Sequence, residues 1–128
     1  MWFKPEQTGA SSETIVSYDD FSIQYSDRFG QLHLGPASGA RQFWGIGDIS
    51  DEAWHHLVVT YDGAGVATSY LDSVSLGTGF IGGDLSFDTS LDAGVRVGGN
   101  GGSYDELAFF DRALTPAEIG ERFALVTQ

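Results

Sequence analysis

Three pairs of neighbouring carboxylates, Asp19-Asp20, Asp51-Glu52 and Asp105-Glu106, stand in this chain. Cleavage of a glycosidic bond needs two carboxylates held on either side of it, one as acid and the other as base or nucleophile. Neighbours on a strand point to opposite sheet faces, so none of these pairs can serve one bond. The same geometry separates His55 from His56, which cannot chelate one ion from a strand. No serine stands in a nucleophile-elbow context, and there is no cysteine to act as nucleophile or thiolate ligand. Gly98-Gly99-Asn100-Gly101-Gly102 occurs once, whereas calcium-binding glycine turns are stable only when stacked. It does not lead from a strand into a helix as a phosphate loop must. Sugar binding remains, and it needs a flat aromatic surface with a few polar groups beside it. Trp44, with Arg41 and Gln42 before it and Gly45 after it, supplies such a ring. Ser22, Gln24 and His33 supply polar groups, and the four sites Trp44, His33, Gln24 and Arg41 form a glycan platform if they share one face. The alternative places Trp44 in the core, where large aromatics mostly lie.

A set of short strands must position these groups. Thr14 to Tyr18 is the first clear one, and Phe21, Ile23 and Tyr25 then alternate with Ser22, Gln24 and Ser26, the period of a half-buried strand. Asp27-Arg28-Phe29-Gly30 turns the chain into a second alternating run holding Leu32 and Leu34, which predicts a hairpin with one apolar and one polar side. Arg41 to Ile46 is a weaker strand. Trp54 to Tyr61 is apolar on both sides, as a doubly covered central strand is, and Asp62-Gly63 closes it. Val66 to Leu71, a piece around Leu85 to Phe87, Val95 to Val97 and Tyr104 to Phe110 complete the set, with glycine-rich loops expected at Gly77 to Gly83 and Gly98 to Gly102. Such a series of short strands and turns predicts an all-β sandwich or barrel. One helix signal stands out: Thr115-Pro116-Ala117-Glu118 is a capping box with proline at the first helical position, and Leu114 and Ile119 suit a hydrophobic staple across it. The helix is expected to run to about Leu125, turn Ile119 and Phe123 toward the sheet, and close one end of the sandwich.

Composition bounds the partners. The 128 residues make one domain, with 41% apolar residues to fill a core. Six basic against eighteen acidic residues give a net charge of −12, which cannot supply the basic face that nucleic acid or an anionic membrane surface requires. A neutral sugar, a cation or a basic partner remains compatible. The longest apolar runs, Leu107 to Phe110 and Phe123 to Val126, fall far short of the ~20 residues of a membrane-spanning helix. No secretory leader is visible, and Met1 runs straight into what looks like the interior of a domain, as in a piece of a longer chain.

Trp2-Phe3-Lys4-Pro5, the run from Trp54 to Gly63, and the run from Gly102 to Ile119 together resemble the laminin-G-like jelly-roll domains of the concanavalin A-like lectin/glucanase superfamily. The resemblance implies one domain over residues 1–128: a two-sheet antiparallel jelly-roll sandwich with one short C-terminal helix. The family's enzymes carry Glu-x-Asp-x-x-Glu on one strand, and no such run exists here, so no enzyme is expected. In several relatives an acidic residue on the last strand helps to bind calcium, which makes Asp105 the candidate metal ligand, with loop carbonyls near Gly99 to Gly102. The alternative for Asp105 is to hold local backbone N–H groups. The family usually carries a further strand before Trp2, and its absence predicts an open sheet edge and a homodimer formed across it. The family's Tyr-x-Asp-Gly turn appears as Tyr70-Leu71-Asp72-Ser73, which predicts a different turn type. The functional expectation is a non-catalytic recognition module of a larger secreted or cell-surface protein, binding a glycan or a protein in adhesion. A spacer or assembly domain without a ligand comes next, and a glycoside hydrolase fragment last.

Overall fold

The computed structural model describes residues 1–6, 13–18, 21–26, 28–36, 42–45, 49, 53–82, 95–97 and 102–127. Among them the chain forms β1 (Trp2–Lys4), β2 (Glu13–Tyr18), β3 (Phe21–Ser26), β4 (Gln31–Pro36) and β5 (Gln42–Gly45). After these come β6 (His55–Tyr61), β7 (Val66–Leu71), β8 (Val74–Phe80), β9 (Val95–Val97), β10 (Ser103–Asp105) and one helix, α1 (Pro116–Thr127). The first sheet has the order β10-β1-β6-β7-β8 and the second β5-β4-β3-β2-β9. Every described pairing is antiparallel. The result is a jelly-roll sandwich of two antiparallel sheets with one short helix, as the sequence leads one to expect.

Alternation decides what fills the sandwich. Phe3, Leu57 and Ala67 from the first sheet meet Val16, Tyr25, Leu32, Leu34 and Trp44 from the second in one buried cluster. The intervening positions of β6 and β7, Val58, Thr60, Thr68 and Tyr70, therefore point outward. At one end of that outer side lies α1. Phe123 stacks on Trp2 at 5.7 Å between ring centroids and reaches His56 at 6.2 Å, and Ile119 is wholly buried. The helix thus lies on the back of the first sheet rather than closing an end. Its capping box is made as the sequence implies: the Thr115 N–H donates to Glu118 Oε2 at 2.8 Å, and the Glu118 N–H to Thr115 Oγ1 at 3.3 Å.

Several expectations are corrected. Trp54 precedes β6 and is half exposed, so the central strand starts at His55. Val74–Phe80 is a strand, not part of a glycine-rich loop: β8 is an edge strand, and Gly77 and Gly79 lie where it meets the second sheet. A Cβ at 77 would stand 3.8 Å from the Trp44 indole nitrogen, and one at 79 only 2.5 Å from Gln42 Cγ. Glycine at 79 answers the close approach of the Gln42 side chain, and at 77 a φ of 111° that suits glycine. The last strand ends at Asp105, because Glu106 adopts φ of 51° and Leu107, Phe109 and Phe110 are exposed. Asp72 and Ser73 both have positive φ, 50° and 67°, the signs of a type I′ turn, so losing the glycine did not change the sign pattern. Asp72 is tied in place: its Oδ2 lies 2.8 Å from His55 Nδ1, and its Oδ1 accepts the His56 N–H at 2.8 Å. β1 is no edge, being paired with β10 on one side and β6 on the other, and the expected open edge does not fall there. Leu85 to Phe87 lies outside the described residues.

Candidate functional site

The strand register separates the residues that a glycan platform built on Trp44 would have to combine. Cross-strand partners share a face. Trp44 pairs with Leu32, and Leu32 with Tyr25, so Trp44 belongs to the core row and is 8% exposed. Gln24 pairs with His33 on the opposite side of the same sheet. On that side Ser22 and Ser26 are buried and Gln24 and His33 half-buried, so it offers no open platform. Arg41 lies outside the described residues. Core burial is thus the role the structure assigns to Trp44, because the pairing of β5 with β4 turns it inward.

Asp105 is exposed, and its Oδ1 accepts the Glu106 N–H at 2.8 Å, the local role considered above. Calcium takes six to eight oxygens. Among the described residues no three acidic, histidine or cysteine side chains cluster, and Gly99 to Gly101 lie outside them.

His55 and His56 point to opposite sides, as their adjacency requires. His55 faces Phe3 at 6.1 Å. His56 packs 4.9 Å from Trp2 under α1, and its Nδ1 is buried without a hydrogen-bond partner among the described residues. Burial above all, then the Met1 ammonium, push the His56 imidazole down to about 4, with Asp72 opposing. A groove along α1 is lined by Phe110, Arg112, Leu114, Glu118, Arg122 and Leu125. Of its charges, Arg112 grips Glu118 through two hydrogen bonds of 2.9 and 2.5 Å, and Arg122 sits 4.5 Å above the Phe110 ring. That grip, with the Thr115 capping bonds, holds the Glu118 carboxyl down to about 2.

The aromatic surface that sequence reasoning missed is Phe80. Its ring is 57% exposed, yet it lies so close over Gly65 that a Cβ there would overlap it. Three bonds hold the surrounding backbone. Ile81 N–H donates to Gly65 O at 2.7 Å, Gln42 Nε2 to Phe80 O at 2.8 Å, and Tyr61 Oη to Gly82 O at 3.0 Å. Gly65 has φ of 114°, a conformation suited to glycine. It follows a turn in which Asp62 Oδ1 accepts the N–H groups of Ala64 and Val66 at 2.7 and 3.0 Å. Those bonds hold the Asp62 carboxyl below its ordinary range. Val66 pairs with Phe80. One row away on the same outer side, Thr60, Thr68 and Thr78 pair across β6, β7 and β8. The threonine row is uncharged, while Asp62 stands beside Val66 at the end of the Phe80 row. The spacing of Leu76, Thr78 and Phe80 between Gly77 and Gly79 is a period-two signal that could have revealed the strand.

Residues 1–120 match the family Laminin_G_3, described as the concanavalin A-like lectin/glucanases superfamily. No curated protein matches the chain. A solved structure of an S-layer domain-containing protein (residues 221–444) from Clostridium thermocellum is similar at a TM-score of 0.40 and 18% identity, over 93% of this chain. This chain spans 65% of the length of that one. With its family match over nearly the whole sandwich, the chain belongs to the concanavalin A-like lectin/glucanase superfamily, as a laminin-G-like domain.

Proposed function

We propose that this domain is a non-catalytic recognition module of a larger secreted or cell-surface protein, and that it binds an uncharged glycan on the outer side of the first sheet. The observation that carries this reading is Phe80, exposed at 57% while the Cδ2–Cε2–Cζ edge of its ring packs against Gly65. Glycine at 65 leaves room for the ring to pack there, where any Cβ would displace it. Sugar rings present C–H faces that stack on such a surface and hydroxyls that need partners beside it. The threonine row supplies hydroxyls that both donate and accept. The half-buried Gln24–His33 side of the other sheet and the buried Trp44 are less favourable places for a ligand.

A broad glycan array on the purified chain tests the reading, run beside Phe80→Ala and the double variant Gln24→Ala/His33→Ala. Selective binding that Phe80→Ala abolishes and the double variant keeps is the expected result. Loss in the double variant alone would move the site to the second sheet. A blank array on folded protein, with a dimer mass by light scattering, would instead favour an assembly role.

A further inference from the structure

Helix α1 is joined to the sandwich by an arm that lies in the open: from Asp105 to Ala113 every residue is exposed. Two contacts tie this arm to the helix, Arg112 with Glu118 and Arg122 over Phe110. The helix is seated through buried Leu114 and Ile119 and half-buried Phe123, and neither sheet includes it. Lifting α1 with its arm therefore disrupts side-chain packing and no strand pairing. A helix of 12 residues is marginal on its own, so one released from its seat is also free to fray.

The seat holds a group that can change its charge. His56 stands in one row with Trp2 and Asp105 on the outer side of the first sheet. It is 5% exposed, and a proton arriving at its buried Nδ1 finds no acceptor among the described residues, which leaves a buried cation uncompensated. The charged groups facing it are the Met1 ammonium beside β1, Arg122 from α1 and Asp72 from the turn after β7. Exposed Asp105 closes the row beyond Trp2. The two cations oppose a third. Asp72 favours it, yet its oxygens are already engaged by His55 Nδ1 and the His56 N–H. Lifting α1 opens the imidazole to water and carries Arg122 away from it.

We infer that α1 and its arm form an acid-released strap: protonation of His56 lifts them from the outer side of the first sheet while the sandwich stays folded. What the lifted strap uncovers is the Trp2 indole, 6% exposed beneath Phe123 when the strap is down.

Hydrogen exchange on the 128-residue chain reads the opening, with each amide expressed as a protection factor so that the pH dependence of exchange itself drops out. The imidazole lies at about 4 beneath the strap and at 6.5 once free, so protection in α1 should fall about 60-fold from pH 7 to pH 4.5, with a slope approaching one per pH unit. In up to about 1 M urea at pH 4.5, the α1 amides should respond weakly and those of β3 and β4 steeply, because lifting a helix exposes far less surface than unfolding. His56→Phe, which keeps a ring between Trp2 and Phe123, should abolish the fall in α1. Protection in α1 as high and as sensitive to urea as in β3 and β4 would overturn the inference, since the helix would then leave only with the whole fold. So would a flat profile from pH 6.5 to 4.5 in the unaltered chain, or an equal fall in His56→Phe.

Discussion

Acid should weaken this domain through His56, and the size of the effect follows from where the imidazole sits. It is 5% exposed between Trp2 and Phe123, and its Nδ1 has no acceptor among the described residues to take a proton. Its folded value is about 4 against 6.5 when unperturbed. Between those two pH values the unfolded chain takes up a proton that the folded chain refuses. Stability is therefore complete above pH 6.5, falls as the pH drops through the window, and levels off below about 4. The whole window is worth about 3 kcal/mol, with about 2.5 kcal/mol already lost at pH 4.5. Glu118 does not confuse the reading. Its carboxyl, held at about 2, keeps its contribution until the pH falls from its ordinary 4.5 toward that value. Urea unfolding followed by circular dichroism at pH 7 and pH 4.5 measures the loss. His56→Phe, which keeps a ring between Trp2 and Phe123, should lose about 2.5 kcal/mol less than its parent over the same interval. Equal losses in the two proteins would refute the reasoning, since the remaining titratable groups are common to both.

Three further outcomes are expected. Ser73→Gly should stabilise the domain by about 0.5–1 kcal/mol, because φ of 67° strains a serine and suits glycine; a thermal melt would show it as a raised midpoint. Ser69→Ala should be neutral or mildly stabilising in urea unfolding, because the wholly buried Ser69 hydroxyl has no hydrogen-bond partner among the described residues. Trp44→Ala should cost about 3–5 kcal/mol and appear as loss of folded protein, not as a folded chain that has merely lost a ligand; an intact melting transition would contradict its place in the core.

Much of the architecture is legible locally. Thr115 and Glu118 stand three residues apart, and the capping box they predict is closed by hydrogen bonds within that span. Phe21, Ile23 and Tyr25 announce a strand because side chains alternate with a period of two, whatever the strand pairs with. What such patterns leave open is which faces become covered. Trp44 is flanked by Arg41, Gln42 and Gly45 and reads equally as surface or core. Its burial follows from pairing with Leu32, which sets the parity of all of β5.

The candidate site shows the same division. Phe80 lies inside what looks locally like a glycine-rich loop from Gly77 to Gly83, since Gly77 and Gly79 weaken a strand in isolation. They suit one here because Gln42 of the other sheet approaches Gly79 and Gly77 adopts φ of 111°. The ring packs against Gly65, fifteen positions earlier, while Gln42 binds the Phe80 carbonyl from the facing sheet. By itself, then, the sequence determined most of the strands, the helix cap, the charge and the absence of the family's catalytic run, all of which depend on composition or on neighbours a few residues apart. The tertiary structure decided which aromatic ring is buried and which is offered to solvent, because that depends on strand register and sheet approach between residues far apart in the chain.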